Sequence, residues 1–270
     1  LVQLDELLAV TTELPDGTTV VHYGIVTELR SRLEGADLSS DTARVANREL
    51  PAQLVRRAEV RSLRTVPERF VAPHAGTPVI RAQGEHRRLG LFEDQMEQQL
   101  PIGLDLTGQP VHADMRFVDG RAGGHVSISG ISGVAPKPSY ALFLLYQLLE
   151  TPRGLELLGG RSGVAATRAL IFNTKGEDLL HIDRPNSRFE SQEGAADQWA
   201  QLGVASPAPF KSVALYAPRQ DGEGDHAIAD IRTRPTADVN AYGWTPEQFV
   251  RLQLLQFCFT AEDERNTQVG

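Results

Sequence analysis

The sequence predicts a β-plus-α/β chain. A small N-terminal β-barrel covers residues 1–95, and an α/β domain with a parallel sheet covers residues 96–270. Three observations predict it. The first ninety residues hold short β-branched runs broken by Pro and Gly, which suits a small barrel. Gly123–Leu149 passes from an alternating apolar run, through a glycine-containing loop and a lysine, into a long apolar helix. Further on, the short apolar run Ala169–Asn173 has the character of a buried parallel strand.

In chain order, Asp16-Gly17 is a turn and Thr18–Leu29 a strand rich in β-branched residues. Gly24 in its middle marks a bulge or a sharp bend. The polar stretch Glu34–Asn47 is expected as an exposed loop or insertion. Arg57–Val66 alternates as a second strand, and Phe70-Val71 and Thr77–Ala82 give two shorter pieces. Ten arginines crowd this region between Arg44 and Arg88. They form either a basic surface for DNA or an acidic partner, or the solvated exterior of a barrel; no aromatic interleaving accompanies them. Arg88–Gln99 reads as a short amphipathic helix, and the domain boundary falls at about residues 90–100, before Pro101 and Gly103. Asp105–Gln109 is a turn and Val111–Phe117 a strand.

His125–Ser129 alternates as a strand, Gly130 and Gly133 supply a flexible turn, and a helix runs from Ser139. Its broad apolar face carries Ala141, Leu142, Leu145, Leu148 and Leu149. Strand, glycine loop, lysine and helix is the layout in which backbone N–H groups and the positive helix end hold phosphates while the lysine reaches the outer ones. The pattern G-x-x-x-x-G-K-[ST] is met imperfectly. Ala135 stands at the second glycine position, Lys137 comes one residue late after Pro136, and Pro138 occupies the place of the Mg²⁺-binding hydroxyl. Each proline also removes a donor. Read from the residues alone, the stretch is either a phosphate loop or an ordinary strand-turn-helix with a surface lysine.

The run GHVSISGISGVAPKPSYALFLLYQLL resembles the first motif of HerA-like ATPases, the DNA translocases of the HerA/FtsK superfamily. A branch of that family carries a variant loop G-x-S-G-V-A-T-K-T-S, from which this chain departs by the prolines at 136 and 138. ALIFNTKGEDLLHID (Ala169–Asp183) resembles the family's second-strand motif, and LPIGLDLTGQPVHADMRFVDGRAGGH (Leu100–His125) its entry segment. The resemblance implies a HAS-barrel-like N-terminal domain and a RecA-like P-loop ATPase domain, incomplete on its C-terminal side. It implies ATP and Mg²⁺ as cofactors. Gly130, Ser132, Gly133, Val134, Ala135, Lys137 and Ser139 would hold the nucleotide, with the Ser139 hydroxyl toward the metal. Lys175, Glu177 and Asp178 would lie close to the nucleotide. The residues of that second motif also read simply as an acidic turn capping the next helix.

After the loop helix, Thr151–Gly154 and Gly159–Gly163 are breaks. A helix is expected over Ala195–Leu202 and a strand over Ser212–Ala217, ended by Pro218. Asp221–Asp225 is an acidic loop without the spacing of an EF-hand. Thr245–Phe259 reads as a helix capped by Thr245 with Pro246 at its first position, and Phe249, Leu252, Leu255 and Phe259 make its apolar stripe. Tyr242 and Trp244 read as packing anchors.

With 270 residues, 41% of them hydrophobic, the chain can bury a core, and no run of residues is long enough to span a membrane. Its single cysteine, Cys258, excludes an internal disulfide and a cysteine-based metal site, which suits a reducing cytoplasm. The formal charge of -8 argues against a surface built throughout for nucleic acid, although a DNA-facing pore is a small part of a ring. Lys137, Lys175 and Lys211 are the only lysines, and two of them sit in the motifs above.

A translocating ATPase also needs an acidic pair at the end of an apolar strand. Ala227–Asp230 is too short, and Glu262-Asp263-Glu264 follows a helix. The chain is therefore expected to hydrolyse ATP negligibly by itself and to act within a longer parent. The resemblance implies a cytoplasmic hexamer around double-stranded DNA, working with a nuclease or other effector docked on the barrel, in DNA processing or defence against phage. The alternative expectation is a ring-forming scaffold that has lost its motor.

Overall fold

The computed structural model describes residues 2–34, 39–49, 53–130, 136–173, 176–189, 191–220 and 228–258. The chain divides into two compact units, Leu1–Gln147 and Leu148–Gly270. The boundary predicted at residues 95/96 falls inside the first unit. The chain is a mixture of helices with antiparallel sheets and one parallel strand pair.

The first unit opens with β1 (Leu7–Glu13), turns at Asp16-Gly17 and returns in β2 (Thr19–Glu34). Gly17 has a φ of 80°, the left-handed region this tight turn requires. A helix α1 (Ser39–Ala46) precedes β3 (Gln53–Val66), and β4 (Val79–Arg81) follows. The strands form one antiparallel sheet in the order β3-β2-β1-β4. The β2–β3 ladder shifts register between Tyr23 and Gly24, the irregularity expected at Gly24. A side chain there would meet Val60 Cγ1 at 2.6 Å and the Arg61 carbonyl oxygen at 2.8 Å, so the close approach of β3 requires glycine.

Among the described residues this sheet is open: β3 and β4 are its two edges, and no pairing closes a barrel. The stretch that would extend the closing edge carries Pro67, Pro73 and Pro78, each lacking an amide donor, and Phe70-Val71 forms no strand. One other expectation is corrected here, and strand β1, Leu7 to Glu13, was not anticipated. Part of the expected loop Glu34–Asn47 is α1, whose polar composition gives no core-facing stripe.

The predicted helix Arg88–Gln99 is α2 (Glu85–Gly90) followed by a 3-10 turn at Glu93–Gln95, because Phe92 takes a left-handed φ of 60° between them. Gln99 already belongs to β5 (Gln99–Leu104), which pairs antiparallel with β6 (Pro110–Asp114) across the predicted turn at Asp105–Gln109. The predicted strand to Phe117 ends at Asp114. That side chain accepts from the Arg116 amide and caps α3 (Met115–Val118). Ion pairs join these pieces. Arg64 reaches Asp94 and lies 4.8 Å from the Phe92 ring, and Arg87 reaches Asp105, Glu93 and the Pro110 carbonyl. His112 Nδ1 lies 2.9 Å from the same Glu93 carboxylate. The core under this layer is Ala9, Tyr23 and Ala82, with Leu7, Val21, Val66 and Leu89 against it.

Helix α4 (Pro136–Leu149) begins in the first unit. The second unit contains α5 (Pro152–Leu157), α6 (Gly160–Ala166), α7 (Ala195–Gln201), β7 (Tyr216–Pro218), β8 (Asn240–Tyr242) and α8 (Pro246–Arg251). β7 and β8 pair in parallel. Their buried side joins Leu215, Ala217, Ala229, Ile231 and Val239, with Leu180, Val213 and Ala241 packed on it. The expected strand Ser212–Ala217 thus begins later, at Tyr216. The helix expected over Thr245–Phe259 is also shorter than read. Thr245 and Gln248 do form the cap, each side chain bonding the other's backbone. Gln253 then enters the left-handed region, and a 3-10 turn at Leu254–Phe257 completes the segment. Leu252 and Leu255 on the expected stripe are exposed, and Phe259 lies outside the described residues.

Candidate functional site

The candidate site is the start of α4 and the segment leading into it. His125–Ser129, predicted as a strand, forms no strand among the described residues. Of the predicted loop residues, Ser132, Gly133, Val134 and Ala135 lie outside the described residues. Gly130, Lys137 and Ser139 lie inside them, on either side of that stretch. The Lys137 ammonium donates to the Gly130 carbonyl at 3.3 Å.

The helix begins at Pro136, earlier than the predicted Ser139. The extension follows from proline chemistry: a fixed φ suits the first turn, and the amides given up there have no intrahelical acceptor. Pro136 and Pro138 still remove two of the first-turn N–H groups that would otherwise face a phosphate. Lys137 is half-buried and Ser139 exposed.

The helix is held in place one turn further on. Tyr140 donates its hydroxyl to the Ile102 carbonyl at 2.8 Å, tying α4 to β5, and its ring stacks on Phe143 with centroids 5.8 Å apart. Burial pushes the Tyr140 phenol above its ordinary range, so it remains a donor at any physiological pH. The anchor was not legible in the sequence, where Tyr140 is one apolar-helix residue among many. The entry segment before the loop is ordered by Asp114 and Arg116, paired at 2.5 Å, and by Asp119, which accepts from the Arg121 amide.

The second motif belongs to the other unit. Ala169–Asn173, expected as a buried parallel strand, is neither paired nor buried in the structure: Leu170 and Phe172 are 79% and 80% exposed. The apolar run is real, but no adjacent strand among the described residues receives it. Lys175 lies outside the described residues. Glu177 is engaged within its own unit. It accepts from the Arg232 amide at 3.0 Å, the Thr233 amide at 2.8 Å and the Thr233 hydroxyl at 2.5 Å. Those donors, the Thr233 hydroxyl first, hold its carboxyl below the usual range. Glu177 thus organises the turn before Arg234. Asp178 opens the 3-10 turn Asp178–His181.

The strongest charged cluster of this unit was missed by sequence reasoning. Arg234, with a side chain only 4% exposed, binds Asp183 at 2.9 and 3.1 Å, Asp238 at 3.3 Å and the Leu180 carbonyl. The guanidinium holds the Asp183 carboxyl well below its ordinary range. Asp183 and Leu180 lie 51 and 54 residues from Arg234 in the chain, a separation with no local signal, whereas Asp238 is four residues on.

Among the described residues no helix is long and apolar enough to cross a membrane, and no group of three or more His, Cys, Asp or Glu is arranged to hold a metal ion. Cys258 is free and exposed. No protein-family model and no curated protein matches the chain.

Proposed function

We propose that the chain is the nucleotide-binding part of a HerA-type ATP-dependent DNA translocase. The observation that supports this reading is the hydrogen bond from the Lys137 ammonium to the Gly130 carbonyl at the start of α4, in a stretch whose sequence is similar to a phosphate-holding loop. Lys137 would hold the phosphate oxygens through its ammonium, and Ser139, the first hydroxyl beyond the two prolines, would supply the contact to Mg²⁺, with the amides of Gly130, Ser132, Gly133, Val134 and Ala135 sharing the phosphate charge. The resemblance of the three motifs supports extending this to a homo-hexamer around double-stranded DNA with a nuclease or other effector docked on the N-terminal domain. DNA-stimulated ATP hydrolysis by the whole translocase of which this chain would be the nucleotide-binding part tests the reading. Intact hexamers that do not hydrolyse ATP with or without DNA would remove the motor.

One observation favours a second reading, a ring-forming scaffold without motor activity. Pro136 and Pro138 together withdraw two amides from the first turn of α4. A lost hydrogen bond to a charged group is worth roughly 1.5–3 kcal/mol, so two such losses cost about 3–6 kcal/mol of phosphate affinity, or two to four decades. Replacing both prolines with threonine and measuring ATP binding separates the readings. A large gain in affinity supports the scaffold; unchanged tight binding in the original sequence excludes it.

A further inference from the structure

The buried face of the β1–β2 ladder is apolar except at two positions. Leu8, Val20 and Val26 point into it and are 5%, 0% and 0% exposed, and the same face carries Thr12 and His22, 2% and 9% exposed. The register sets Val10 opposite His22 and Thr12 opposite Val20, so Thr12 and His22 are diagonal neighbours on one side of the sheet. Neither Thr12 Oγ1 nor His22 Nε2 has a hydrogen-bond partner among the described residues, and both atoms are cut off from solvent. Buried polar atoms are nearly always satisfied by protein or by ordered water.

We infer that Thr12 and His22 form an internal hydration site, with one water molecule bridging the threonine hydroxyl and the imidazole nitrogen. Diagonal neighbours across an antiparallel pair stand about 7–8 Å apart at their Cα atoms. No direct bond joins the two atoms, and one oxygen bonded to both would satisfy each. The chemistry fits. A hydroxyl donates and accepts, and a neutral imidazole nitrogen does one or the other according to its tautomer, so the water closes the pair with either tautomer. A water held by these two contacts, in a face otherwise lined by Leu and Val, exchanges slowly with bulk solvent.

The test is made on the whole chain. Nuclear Overhauser effects between the Thr12 methyl group and a slowly exchanging water should be seen in the unaltered protein, which needs no variant to fold. Thr12→Val keeps the shape and removes the hydroxyl. It should lower the melting temperature by about 2–4 °C, and its combination with His22→Phe should cost clearly less than the sum of the two single changes. Absence of the water signal, or a Thr12→Val variant that melts higher with an effect independent of His22, would overturn the inference, because that is how two isolated orphan groups behave.

Discussion

Replacing Arg234 with methionine tests how the second unit is held together. The side chain is 4% exposed, and its guanidinium satisfies both oxygens of Asp183, one oxygen of Asp238 and the Leu180 carbonyl. Methionine keeps much of the stem and removes all of these donors. Stripping one partner from a fully buried ion pair costs about 3–5 kcal/mol. Asp183 and Asp238 are 28% and 37% exposed, so water relieves part of their loss, and about 2–3 kcal/mol remains. Both tryptophans, Trp199 and Trp244, belong to the second unit, so their fluorescence in a urea titration reports on that unit alone. With a urea slope of about 1.5 kcal/mol per molar, the midpoint should fall by roughly 1.3–2 M. A shift below about 0.3 M would refute the role given to Arg234. The pair also has an acid signature. The folded-state pKa of Asp183 is lowered, so its stabilisation is present above the unfolded value, near 3.8, and is lost as pH falls through that value toward the folded one. Arg234→Met should remove this part of the acid dependence.

Two further outcomes follow for the first unit. Gly24→Ala places a methyl group 2.6 Å from Val60 Cγ1 and 2.8 Å from the Arg61 carbonyl oxygen, so β2 and β3 must separate. Unit 1 should lose about 1–3 kcal/mol, read as faster amide exchange along β2, and unchanged exchange would contradict the close approach. Burial holds the His22 imidazole below its usual 6.5, so the unfolded chain takes the proton first. Protection of β2 amides should therefore be constant above about pH 6.5 and fall as pH drops below it, and His22→Phe should flatten that dependence. Protection that rises on acidification in the unaltered protein would show the imidazole to be stabilised as a cation.

What was legible in the sequence was what local chemistry decides. The β-branched run of β2, the glycine that lets β3 approach, the Thr245 cap and the apolar helix after Lys137 all carry their cause within a few residues. What was not legible depends on contacts between distant residues. Tyr140 reaches Ile102 and Arg234 reaches Asp183 and Leu180, pairings that no periodicity announces. His125–Ser129 and Ala169–Asn173 mark the opposite case: their composition is that of strands, but a strand also needs a neighbour, and the described residues give them none. The closed barrel failed to show for a related reason, since three prolines interrupt the stretch around β4. Of the candidate site, the Lys137 ammonium donates to the Gly130 carbonyl, while Ser132 to Ala135 lie outside the described residues. Glu177 is instead committed to the turn at Arg232–Thr233.

The measurement that bears most directly on the proposed function is ATP binding by the whole chain with Mg²⁺, followed by calorimetry for the unaltered protein and for Lys137→Ala. A lysine on phosphate is a charge-assisted contact worth about 1.5–3 kcal/mol, so the substitution should weaken binding by roughly 10- to 150-fold while the melting temperature stays the same. Equal affinity in the two proteins, or no binding by the unaltered chain at millimolar ATP, would contradict a phosphate site at the start of α4.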